Sequence, residues 1–132
     1  MKCRIILELL AILFFTGCYN REQISRLDEA EALIQNKPDS ALTILQQLKS
    51  EGSQAEQARY ALLYSEALDK NHIKATNDSL IRRAWEYYKH HPKDLRRQCK
   101  TLYYWGKVKL RAGDKPGALR LYLKVEEKLK DT

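Results

Sequence analysis

Few side chains in this sequence are spaced for chemistry. The three histidines are His72, His90 and His91. His90 and His91 are neighbours, so on a helix they point to different faces. A helical zinc site needs His or Cys pairs at i,i+4 and a further ligand, and that spacing does not occur. Histidines near a helix C-terminus ordinarily just complement its dipole. There is no Gly-rich phosphate loop and no nucleophile elbow. Glu66, Asp69 and Asp78 are close enough along the chain to meet in space, but such acids are usually solvated surface groups. No enzyme activity, metal or cofactor is expected.

Cysteine offers one more chemistry. The three cysteines, Cys3, Cys18 and Cys99, are too few for a disulfide framework. Cys18 has a particular setting. Lys2 and Arg4 form a basic start, and Ile5 to Phe15 is an apolar run broken only by Glu8. Eleven helical residues span about 16 Å, while a bilayer core needs about 30 Å. The run therefore has signal-peptide dimensions rather than those of a membrane span. Gly17-Cys18 at its end resembles the lipobox of bacterial lipoproteins, although Phe15 stands where that motif prefers Leu. The resemblance implies cleavage before Cys18 and a diacylglycerol on its thiol. The expected organisation is a signal peptide over 1–17, a lipidated tether over 18–21 and a domain over 22–132. The same run also fits an uncleaved anchor, or a start codon assigned too early and no export.

The elements that must position everything else are helical. The chain has 132 residues, with 44% apolar and 31% charged side chains, which allows one domain. Val occurs only at Val108 and Val125, and no segment alternates with period two, so no strand is expected. Removing residues 1–17 removes both Phe and the only Met. The core must then come from Leu, Ile, Ala, Tyr, Trp85 and Trp105, with Cys99 as a small buried apolar residue.

Apolar periodicity predicts six helices. The first covers 22–35, with Ile24, Leu27, Ala30, Leu33 and Ile34 on one face. The second covers 38–50, and the third 54–70. The fourth follows a cap at Asn77 or Asp78 and runs to 90. The fifth covers 94–112 and ends at Gly113. The sixth covers 116–130, with Ala118, Tyr122, Val125 and Leu129 inward. All three Pro residues fall at helix boundaries. The short loops predict antiparallel hairpins.

A small residue recurs early in every second helix, at Ala41, Ala84 and Ala118, with intervals of 43 and 34. In the last hairpin Trp105, Gly106, Gly113, Ala118 and Tyr122 stand at the spacing of a tetratricopeptide repeat, with Lys109 where that repeat has an aromatic. Small residues let two helices cross closely, and bulky neighbours fill the gaps. The chain resembles a family of repeat-containing lipoproteins and sensors of Gram-negative envelopes, through Asn36-Lys-Pro-Asp-Ser-Ala-Leu42 and Tyr103-Tyr-Trp-Gly106. That resemblance implies an all-α array of three antiparallel helix pairs, a right-handed tetratricopeptide-like solenoid. It also implies a lipid-anchored interaction module in the cell envelope, on an outer-membrane, periplasmic or surface face. The alternative is the truncated sensor half of a signalling or transcription regulator.

The formal charge of +7 is local. Residues 92–132 carry 12 basic and 5 acidic side chains. On the fifth helix Lys93, Arg96, Arg97, Lys100, Lys107 and Arg111 fall within an arc of about 100°, together with Tyr104. One expectation is a plain solvated face. The other is a surface for an anionic partner, such as an acidic peptide, a glycan or a lipid head group. Nucleic acid is not expected for an exported protein. Leu119 and Leu123 lie outside the sixth helix's main stripe, so they should be partly exposed and available for self-association or another partner.

Overall fold

The computed structural model describes residues 2–132, with the side chains of 13–16, 18 and 19 outside what is described. The fold is all-α, and no strand occurs among the described residues. The helices are α1 (Lys2–Leu33), α2 (Pro38–Gln47), α3 (Gln54–Lys70), α4 (Ser79–Tyr88), α5 (Leu95–Arg111) and α6 (Lys115–Lys130).

Local chemistry sets most boundaries. Pro38 opens α2, where its missing N–H is no loss. The Ser53 hydroxyl accepts the Glu56 amide at 3.2 Å and caps α3. Asp94 accepts the Arg97 amide at 3.2 Å, and Asp114 accepts the Gly117 amide at 2.9 Å, which start α5 and α6. Gly113 follows α5 with φ 87°, a conformation in which a side chain would be strained.

Two boundaries differ from expectation by three residues or more. The helix expected to begin at Glu22 runs back continuously to Lys2, because a lone Gly17 costs only about 1 kcal/mol in a helix. Helix α2 stops at Gln47 rather than Ser50, where Leu48 turns extended. Asp78 precedes α4 without capping it by its side chain, and Asn77 accepts the Ser79 amide at 2.9 Å instead.

Two apolar clusters make the core, and α3 belongs to both. Leu27, Ala30 and Ile34 of α1 pack with Ala41, Leu42, Ile44 and Leu45 and with Leu63 and Ala67 of α3. Ala58, Ala61 and Leu62 of α3 pack with Ile81, Ala84, Tyr88 and Tyr104. Each helix packs on its neighbour in sequence. In addition α1 lies against α3, and α3 against α5, whereas α2 and α4 do not pack side by side, nor do α4 and α6. The result is a helical-repeat-like stack in which the odd-numbered helices form one continuous layer.

The inward faces differ from the expected stripes at the two ends. Ile24 is exposed, and Leu129 is 55% exposed. Leu121 takes the inward place on α6. Leu119 and Leu123 are exposed, as expected. In the first turns of α1, Ile5, Ile6, Leu7, Leu9 and Leu10 are exposed as well. No helix among the described residues is long and apolar enough to cross a membrane.

Candidate functional site

The layer of α1, α3 and α5 brings most of the predicted basic arc into one place, where it meets carboxylates. Arg97 lies 3.3 Å from Glu31 of α1 and 2.9 Å from Asp94. Glu31 also accepts from Arg59 of α3, which reaches Asp28 at 2.7 Å. Lys100 donates to Glu66 of α3 at 2.8 Å. Asp69 of α3 pairs with Arg111 at 2.8 Å and with Lys107 at 3.8 Å.

This changes the meaning of the basic arc. It is not a uniformly solvated or uniformly positive face. Arg97, Lys100, Lys107 and Arg111 are half-buried and neutralised inside the chain, and Tyr104 is buried in the core. Lys93 and Arg96 are exposed and outside these pairs. The acids depart from expectation as well. Glu66 has 0% exposure, where a solvated group was expected, and it also accepts from the Gln35 amide at 2.9 Å.

The electrostatics follow the burial. Arg97 and Arg59 lose hydration, which favours the neutral form, yet Asp94, Asp28 and Glu31 hold both guanidinium groups above their usual range. Burial raises the Tyr104 phenol well above its ordinary value, and the neighbouring Glu66 carboxylate adds to this. Burial likewise pushes Tyr88 up to about 12.

A cavity of about 210 Å³ opens beside this layer, under the 71–77 connector. Leu68, Ile73, Leu80, Ile81 and Val108 form its apolar wall, and Lys107 and Arg111 stand at its edge. Arg111 also donates to the Ile73 carbonyl at 3.4 Å, tying the connector to α5.

The predicted repeat-packing residues mostly serve close packing. Ala41, Ala84 and Ala118 are fully buried. A methyl group at Gly106 would displace the Tyr122 ring, so the absence of a side chain there lets α5 and α6 cross closely. Trp105 donates from Nε1 to Asp78 at 3.0 Å, and Lys109 approaches the same oxygen at 3.3 Å. Burial works against the Asp78 anion, but Trp105 and Lys109 together hold its carboxyl below the usual range.

Several buried polar residues gave no sequence signal of their own. Gln23 donates to the carbonyls of Lys49 and Glu51 at 3.2 and 2.7 Å, closing the end of α2. Gln98 donates to the Tyr88 carbonyl at 2.6 Å and closes α4. For the ion pairs a usable signal existed. Glu66 and Lys100 are 34 residues apart, the interval that separates Ala84 from Ala118. His91 stacks on Tyr87 with centroids 3.9 Å apart, and its Nδ1 donates to the Tyr87 carbonyl at 2.7 Å. Cys99 is half-buried rather than buried. The Cys18 side chain lies outside the described residues.

Comparison with protein-family models, with curated proteins and with solved structures finds no match. What the coordinates define is the class: an all-α, helical-repeat-like domain.

Proposed function

We propose that the chain is a non-enzymatic, tetratricopeptide-like interaction module held at a membrane surface through Cys18, in the cell envelope. The partner is a protein or peptide segment. Its binding place is the layer of α1, α3 and α5, with the cavity under the 71–77 connector as the seat for an apolar side chain.

The observation that carries this reading is the continuous odd-helix layer with an apolar cavity opening beside it. Close packing at Gly106 against Tyr122 supports the repeat assignment. The exposed apolar side chains of Ile5 to Leu10 support a segment that leaves water, either as a signal or as an anchor. An acidic partner is the less favoured occupant of the layer, since it must compete with Glu31, Glu66 and Asp69 for their cations.

Envelope fractionation with palmitate labelling tests the anchor. Wild type should label and sediment with membranes, and Cys18→Ser should do neither. A photo-crosslinking side chain at Thr76, on the cavity rim, tests the binding place. It should trap a discrete partner in envelopes, and Val108→Lys should abolish that product. A labelled protein giving no Val108-dependent product would keep the anchor and reject the binding place.

A further inference from the structure

The outer face of α6 carries an exposed apolar pair. Helix α6 packs along α5, and Lys128 lies over the Trp85 ring at 6.0 Å. The opposite face is open, and at its centre stand Leu119 and Leu123, exposed by 58% and 52%. These two residues form an i,i+4 pair on one side of the helix.

The charges around them are arranged by position along the helix. Lys115 precedes the leucines and Glu127 follows them, both exposed and neither in an ion pair among the described residues. Glu126 is already paired with Lys130 at 2.8 Å. We propose that a second copy of this chain covers this face, in an antiparallel, twofold pairing of α6 with α6 centred at position 121.

That register follows from the sequence. When Leu119 faces Leu123 of the partner subunit, the centre of symmetry lies at the height of Leu121. Lys115 and Glu127 are each six residues from that centre, so each meets the opposite charge. A parallel pairing instead sets Lys115 against Lys115 of the partner subunit, and likewise for Glu127. Twofold symmetry makes every contact occur twice, so a modest pair of side chains counts double. The antiparallel arrangement also opposes the two helix dipoles favourably.

Sedimentation equilibrium of the full chain in density-matched detergent tests the proposal. Wild type should be a monomer–dimer equilibrium. Lys115→Glu and Glu127→Lys should each weaken the dimer about tenfold, because each reversal acts twice. The double variant Lys115→Glu/Glu127→Lys should restore it. Leu123→Lys should give a monomer that unfolds as cooperatively as wild type, losing only the concentration-dependent stability that the dimer adds, since Leu123 lies outside the core. A monomeric wild type overturns the proposal. So does a dimer that persists in Leu123→Lys, which would place the contact elsewhere, for example on the apolar start of α1. Failure of the double variant to recover would overturn the antiparallel register.

Discussion

Arg97 on α5 meets Glu31 on α1 at 3.3 Å, although 66 positions of sequence separate them. The two side chains bridge over α3, whose Arg59 shares the same carboxylate. The first, third and fifth helices are thus joined by charge as well as by apolar packing. Lys100 to Glu66 and Arg111 to Asp69 continue the same line between α5 and α3.

Lys100 is therefore a stability residue. Lys100→Ala should cost on the order of 3 kcal/mol, because it leaves the fully buried Glu66 carboxylate without its cation. Urea unfolding measures this. The pair Lys100→Met/Glu66→Gln should lose less than Lys100→Ala alone. Reversing Arg97 and Lys100 to Glu would unfold the layer, so Lys93→Glu/Arg96→Glu is the cleaner test of an anionic partner.

Gly106 tests the helix crossing. Gly106→Ala should destabilise by about 1–3 kcal/mol through overpacking against Tyr122. Combining it with Tyr122→Ala should cost less than the two single changes together, since both act at one contact. Strict additivity in thermal unfolding would count against a direct clash.

At high pH the buried phenols become a liability. Tyr88 titrates near 12 in the fold, against about 10 for an unfolded tyrosine. Its contribution is complete below about pH 10 and is lost as pH rises toward 12. Alkaline unfolding should begin in that interval, and Tyr88→Phe should move it upward. Tyrosinate absorbance followed together with circular dichroism checks whether ionisation and unfolding coincide.

At low pH the relevant group is Asp78. Its folded value lies below the ordinary carboxylate range, so its contribution is present above about pH 4 and lost as pH falls through the folded value. Trp105 should report this by a fluorescence change in acid. Trp105→Phe should reduce the acid sensitivity, as should Asp78→Asn.

Apolar periodicity made the helices legible. Spacing places Leu27, Ala30, Ile34 and Ala84 inward, and all are buried. The start of α1 was not legible, because the change from an exposed apolar run to an inward stripe leaves the backbone helical throughout. The end of α6 was misread at Leu129, since a stripe does not reveal where its covering neighbour stops. The larger gap concerned charge. A helical wheel shows that Arg97, Lys100, Lys107 and Arg111 share an arc, but not that another helix offers carboxylates to it. Glu66 and Lys100 were separately visible, and the periodicity of neither helix pairs them.

The double membership of α3 has a kinetic side. Leu63 and Ala67 hold one apolar cluster while Ala58 and Leu62 hold the other. No opening of α3 can spare either half of the domain, so its amides should exchange only through global unfolding. Helix α6 rests mainly on α5 and can detach without disturbing either cluster. Hydrogen exchange should therefore find α3 slower than α6, and the chain should lose α6 before it loses its fold.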